Sequence, residues 1–398
     1  MGALDGLKVI DMSSVVMVPL AGRILGDMGA DVIKVEPPTG DTARAIGPMN
    51  SPGMGPFYMN VNRNKRSIAL DVKSPAGKEA LTEMIKEADV LLYNVRPQAM
   101  ARLGFDYESC RDIRDDLIYV GAYGFSQDGP YAARPAFDDL IQGIAAIPSL
   151  IAMSGDGMPR YVPMAFVDRM VGTAMANAVL GALLHRERSG EGQSIEVPMF
   201  ETMVDAVLSD HAGGQMFDPP IGPAGYPRSL APERHPYKTK DGYVCVMVYT
   251  NRHWRSFFEL VGSDLADTDP RFESLTTRTI HAREIHTILR DFLLARTTDE
   301  WLAVFESADI PATPLHTLDS LIHDPHLEAI GFFEWIDHPS EGRLRTMPPT
   351  SKWSATPLSV RRHAPLIGEH TRAILGEYGY SEADIQAMIE SGAAVATP

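Results

Sequence analysis

LKVIDMSSVVMVPLAGRILGDMGADVIKVEPP, Leu7 to Pro38, carries three structural signals in one short stretch. Leu7 to Asp11 is an apolar run that ends on polar residues, the pattern of a buried strand. Pro19 to Met28 repeats apolar residues at helical spacing, and Gly29 stops it. Asp31 to Val35 is a second strand, closed by Glu36-Pro37-Pro38. Strand, helix and strand at this spacing form a βαβ unit, whose right-handed connection lays the two strands parallel. A dinucleotide-binding fold is the obvious rival, and Glu36 stands roughly where a ribose-binding acid belongs. The turn from Met12 to Pro19, however, contains no glycine, so it lacks the Gly-x-Gly-x-x-Gly that lets a pyrophosphate approach the backbone.

The same alternation continues downstream. Ser67 to Leu70 reads as a strand. Ser74-Pro75 opens a helix as N-cap and first-turn proline, with Ala80, Leu81, Met84 and Ile85 on its apolar face. Ala88 to Leu92 leads into another strand that ends at Tyr93-Asn94, and Leu117 to Ala122 is the next. Repeated βα units make the fold class α/β with a Rossmann-like parallel sheet. From about Met203 the pattern changes. Asp218 to Pro223 reads as a linker, Lys240-Asp241-Gly242 as a tight turn before a strand at Val244 to Val248, and helices follow at His253–Leu260, Ile280–Leu294 and Thr298–Glu306. Two short helices follow Pro365-Leu366-Ile367. The expected division is a large domain begun by 1–203, a linker at 204–224, a small α+β domain at 225–325, and a return linker with the rest of the large domain at 326–398.

The chain has 398 residues, 44% hydrophobic and 22% charged, enough for a proper core. Its formal net charge of −16 argues against nucleic acid as a partner, since a phosphate backbone needs a basic surface. Only Cys110 and Cys245 occur, which makes neither a disulfide framework nor a zinc site and favours a cytoplasmic, reduced protein. No signal peptide is read at the start. The longest apolar helix, read as Met170 to Leu184, is too short for a membrane span. His323-x-x-His326 is the only close histidine pair in helical spacing, and nothing completes a metal site around it.

Chemistry concentrates in Tyr161 to Met203. Asp168 heads a run of small and apolar residues in which Gly172, Ala174, Ala176, Ala178 and Gly181 allow close backbone approach. Read from physics alone, Asp168 is an N-cap. Asn62 to Lys73 holds Arg63, Lys65, Arg66 and Lys73, either a solvated face or a phosphate-binding patch. Gly124 to Pro130 is a glycine-rich turn, although a plain loop would also use Gly and Pro.

These segments resemble the class III CoA-transferases, the family of formyl-CoA transferase and carnitine CoA-transferase, from Leu4 to about Ile389. The resemblance rests on Asp168 followed by Glu187-Arg188-Ser189-Gly190-Glu191-Gly192-Gln193, on Lys34 to Asp41 with Arg44, and on Asn64 to Ile68. Asn94-Val95-Arg96-Pro97, Arg102-Leu103-Gly104, Gly124 to Pro130 and Arg134-Pro135-Ala136-Phe137-Asp138 add to it. It implies that Asp168 is the nucleophile of an acyl-CoA:carboxylate CoA-transferase, working through an aspartyl anhydride and an aspartyl-CoA thioester. It implies CoA contacts from Val15, Val16, Leu70, Lys73, Asn94, Val95, Arg96, Arg102, Arg134, Phe137 and Asp138. Acyl-CoA and carboxylic acids are then substrates, no cofactor is permanently bound, no membrane is involved, and two chains form an interlocked homodimer. Two departures stand out: Met17-Val18-Pro19 replaces the family's Ala-Gly-Pro, and nothing matches the four-glycine lid of formyl-CoA transferase. Gly225 to His235, with Arg228, Arg234 and His235, occupies the lid's place. A 2-methylacyl-CoA racemase, CoA transfer within one diacid, and a non-catalytic CoA-binding protein are the alternatives. The racemase's second acid/base histidine corresponds here to Phe137, which cannot titrate.

Overall fold

Residues 1–397 are described by a computed structural model. The chain divides into two compact units, one of residues 1–144, 163–204 and 331–398, the other of residues 145–162 and 205–330. The first is built on a seven-stranded sheet of β1 (Lys8–Met12), β2 (Asp31–Glu36), β3 (Lys65–Leu70), β4 (Val90–Tyr93), β5 (Ile118–Tyr123), β6 (Gln193–Pro198) and β7 (Ala394–Val395). The order is β7-β3-β2-β1-β4-β5-β6, all neighbours parallel except β7, which pairs antiparallel with β3. The α/β fold expected from the βα repeats is therefore present. Its order reverses direction between β1 and β4, and the crevice beyond the carboxyl ends of strands at such a switch point is where ligands of open α/β sheets bind.

The strands are nearly continuous apolar runs because both sheet faces are covered. Ile10, Ile33, Ile68 and Leu91 pack with Leu81 and Met84 of the helix Pro75–Glu87 and with Ile374 and Ile385 of the two C-terminal helices. Helix α1 (Met17–Asp27) follows β1, α2 (Asp138–Ile144) follows the glycine-rich turn, and α3 (Phe166–Ser189) leads into β6. At 24 residues α3 is longer than read from sequence, and it is long and apolar enough by length and composition to cross a membrane. The length argument from Met170–Leu184 fails because the helix begins at Phe166 and ends at Ser189. In this fold it packs along α1. A Cβ at Gly172 would lie 2.4 Å from the Met17 carbonyl oxygen, so only glycine permits the crossing, whereas Gly181 has open space around it and no such role. The Glu187–Gln193 motif is also structural. Gly190, at φ +76°, ends α3, and a Cβ at Gly192 would meet the Asp116–Leu117 backbone at 2.4 Å as the chain enters β6.

The basic run at Asn62–Lys73 is not a free phosphate patch. Lys65 is fully buried, its Nζ 2.8 Å from Asp11 Oδ2, 2.7 Å from the Pro19 carbonyl and 2.8 Å from Asn62 Oδ1. Arg66 binds Asp31 and Glu377, and Arg63 binds Asp27. Lys73 alone of the four is exposed and makes no ion pair among the described residues. Beside this cluster Arg44 spans Glu36, Tyr58 and the Pro365 carbonyl, and buried Lys34 binds Asp41 and the Ser13 carbonyl. The cations there serve the interior, where an ion must be paired to be tolerated.

The second unit carries a three-stranded antiparallel sheet of Tyr237–Lys238, Tyr243–Val246 and Ala312–Pro314. Trp254, Phe257, Phe258, Phe272, Trp301 and Phe305 fill its core beneath the helices Asn251–Val261, Ala282–Leu293 and Thr298–Ser307.

Candidate active site

The carboxyl ends of β1 and β4 open onto a cavity of about 330 Å³. Its floor is the Ser14–Met17 turn after β1. Val15 sits there at φ +71°, a conformation that a β-branched residue adopts only under strain. Neighbours hold it. Asn94, just past β4, accepts from the Ser14 N–H (3.1 Å) and donates to the Ser14 carbonyl (2.8 Å), and Asp41 accepts from the Val15 N–H (3.0 Å). Asp41 is fixed in turn by Lys34. The absence of glycine from this turn is thus met by clamping a valine in a glycine conformation. The next N–H groups, Val16 and Met17, stand at the start of α1 with no hydrogen-bond acceptor among the described residues. Asn94→Ala should cost about 1–3 kcal/mol of stability and raise KM for the thioester, since it frees two backbone groups at once. A thermal melt and initial rates check this, and an unchanged KM would remove Asn94 from the site.

Asp168 lines the same cavity. It is the third residue of α3, after the N-cap position at Ala165, so the N-cap reading is corrected: its carboxylate caps nothing. Asp168 and Gly172 share one helix face, so the close crossing at Gly172 sets the carboxylate one turn away, beside the Ser14–Met17 turn. The Asp168 carboxylate accepts no hydrogen bond among the described residues, while its own backbone N–H donates to Asp138 Oδ2 at 2.9 Å. Asp138 opens α2 and also accepts from Gln142 Nε2 at 2.6 Å. Burial raises Asp168 to about 6, with the Asp138 charge adding to the rise and Arg169 opposing it. A carboxylate with that value is more basic, and so a better nucleophile, than an exposed one, yet is largely ionised at neutral pH.

Of the residues expected to hold CoA, Val15, Val16, Asn94, Val95, Arg96, Arg134, Phe137 and Asp138 line this cavity with Asp168. Leu70, Lys73 and Arg102 do not. Leu70 is buried in β3 beneath its pairing with β7, Lys73 is exposed after that strand, and Arg102 is exposed in the last turn of the helix Pro97–Leu103. Arg134 lies over the Tyr131 ring at 3.9 Å, and Phe137 is 67% exposed at the cavity wall. Two N–H groups of the glycine-rich turn are already taken: Ser126 donates to Glu201 and Gln127 to Glu196. Tyr123 and Gln127 were missed as lining residues, although Tyr123 stands at the carboxyl end of β5, where the switch-point rule looks. Among the described residues, no group of three or more His, Cys, Asp or Glu side chains is arranged to hold a metal ion.

Comparison with known proteins matches residues 4–371 to the model of CoA-transferase family III. The chain is similar to a succinate–glutarate CoA-transferase of Agrobacterium fabrum, 32% identical over 94% of this chain and 95% of that protein. It is also similar to the succinyl-CoA:glutarate CoA-transferase of Mus musculus, 30% identical over 98% of this chain and 90% of the relative. Among solved structures it resembles a CAIB/BAIF family protein from Brucella suis, with a TM-score of 0.79 and 30% identity over 95% of this chain and 99% of that one.

Proposed function

The chain belongs to CoA-transferase family III and is a CoA-transferase, and from that premise we propose that it moves CoA between two dicarboxylic acids through covalent intermediates on Asp168. The observation that carries the reading is the Asp168 carboxylate itself: half-buried, raised to about 6, unbonded, and set at a cavity beside free N–H groups. An Asp168 carboxylate oxygen attacks the thioester carbonyl carbon of the donor. The carbon–sulfur bond breaks, and CoA thiolate leaves behind a mixed anhydride. The thiolate attacks the aspartyl carbonyl and expels the donor carboxylate, giving an aspartyl-CoA thioester. An acceptor carboxylate then runs the two steps in reverse and regenerates Asp168. No net proton is consumed, and one exchange between acids is divided into easier acyl transfers. The N–H groups of Val16 and Met17, at the positive end of α1, are the donors offered to the tetrahedral oxyanion. Arg96 and Arg134 at the cavity are the cations offered to CoA phosphates.

The acids are assigned as dicarboxylates because the named activities of the two relatives act on succinate and glutarate. Phe137 supports transfer over racemisation, which needs an acid/base group on each face of the α-carbon. On the same reading the protein is an interlocked homodimer of the cytoplasm with no permanent cofactor. A screen of acyl-CoA donors against mono- and dicarboxylates, read by mass spectrometry, tests the assignment, and transfer confined to monocarboxylates would overturn it. Arg96→Ala should raise KM for acyl-CoA about tenfold or more, while Arg102→Ala leaves it nearly unchanged. The opposite ranking would return the nucleotide end to Arg102.

The pH dependence follows from Asp168. The ionised form attacks, and the group titrates at about 6. Rates of acyl loading should therefore fall below about pH 6, approaching tenfold per unit, and level off above pH 7. A loading rate that is flat down to pH 4.5 would mean that Asp168 does not titrate there or is not the attacking group.

A further inference from the structure

The second unit holds a cavity of its own, about 270 Å³, at the edge of the strand Tyr243–Val246. That is just below the roughly 300–1,000 Å³ of ordinary ligand pockets, so it suits a small molecule. Arg228, Arg234 and Arg278 line it, and no aspartate or glutamate does. In a chain of net charge −16 this is an unbalanced concentration of cations. Arg228 reaches only the Met247 sulfur, a weak acceptor, at 2.8 Å, and lies over the Tyr249 ring at 5.5 Å. Arg234 makes no ion pair among the described residues. Arg278 is buried, with Nη1 2.9 Å from the Phe272 carbonyl and Nη2 3.2 Å from the Tyr249 carbonyl, and no acid neutralises it. Glu233, the nearest acid in sequence, is held by Arg283 outside the cavity. His286 bonds the Tyr237 hydroxyl, and burial together with Arg228 and Arg234 pushes it down to about 4, so the ring is neutral and the arginines supply the charge. Val246, Val248, Trp254, Ile285 and Leu289 form apolar walls between these groups.

We propose that this cavity is a recognition site for a small dicarboxylate. Several guanidiniums call for more than one negative charge, since each pairs most strongly with a carboxylate, and the apolar walls call for a hydrocarbon body between the charges. Inorganic phosphate supplies the charge without the body, and a monocarboxylate the body with one charge. The proposal rests on the transfer reading only for the acid's being a substrate, because the binding follows from the lining.

Calorimetry on the full chain tests it with glutarate, butyrate and inorganic phosphate as probes. Glutarate should bind saturably, and butyrate and phosphate about tenfold or more weakly. The double variant R228A/R234A, changed outside the aromatic core, should weaken glutarate about tenfold or more and keep the wild-type melting curve. Arg278→Lys, which retains charge but loses the planar fork, should weaken it as a second variant. Asp168→Ala should leave glutarate binding unchanged. Absence of glutarate binding, equal affinity in R228A/R234A, or equally tight butyrate or phosphate would overturn the proposal. Loss of CoA transfer between dicarboxylates with glutarate binding intact would instead contradict the transfer reading alone.

Discussion

Asp168→Ala should abolish CoA transfer, with turnover reduced by roughly a thousandfold or more, while the protein keeps its fold. On the covalent reading the loss is large because every step of the exchange passes through this carboxylate, whereas Asp41, the acid bonded to the Val15 N–H, is held by Lys34. Asp138, the other cavity acid, is engaged by the Asp168 N–H and by Gln142. The fold survives because the Asp168 side chain caps nothing and accepts no hydrogen bond among the described residues. Removing a carboxylate held in a desolvated place also relieves the cost that raises its titration to about 6. Steady-state rates and a melting curve together check this. Near wild-type turnover would place the nucleophile elsewhere, and an unfolded variant would make Asp168 a structural residue.

Lys65→Met should produce the second large effect, on stability and not on CoA affinity. Lys65 and Asp11 are both fully buried, 2.8 Å apart. Removing the cation leaves Asp11 with the Ser13 N–H and hydroxyl and the field of Lys34, and breaking one side of a buried ion pair costs about 3–5 kcal/mol. Denaturant titration measures it, and adding Asp11→Asn to Lys65→Met should restore part of the loss. A variant of wild-type stability with weakened CoA binding would reinstate the phosphate-binding reading of the Asn62–Lys73 run.

That run shows why some of the site was illegible in the sequence. Four cations in twelve positions look the same whether they face phosphate or the interior, and their partners are remote: Arg66 meets Glu377, three hundred positions on. The glycine-rich turn is a further case, because Glu196 and Glu201, which take the Gln127 and Ser126 N–H groups, follow only after α3 and within or beyond β6. The turn at Ser14–Met17 gave no glycine signal, since Asn94 and Asp41 enforce on Val15 what glycine would adopt freely. What was legible was local. The strand, helix and strand from Leu7 to Val35, the Ser74-Pro75 helix start and the Gly29 stop follow from periodicity and turn chemistry, and each lies close to the element found. Asp168 was legible as a singular carboxylate at a helix start, but its place inside the first turn depends on where the chain enters α3.

The central claim is that the exchange is covalent at Asp168. Mixing the wild-type protein with succinyl-CoA in the absence of an acceptor, quenching in acid and weighing the intact chain and its peptides reads this directly. The account predicts a CoA adduct on the peptide that contains Asp168, which disappears when an acceptor dicarboxylate is added and never forms in Asp168→Ala. An adduct on another peptide, or turnover with no adduct at any time, would contradict it.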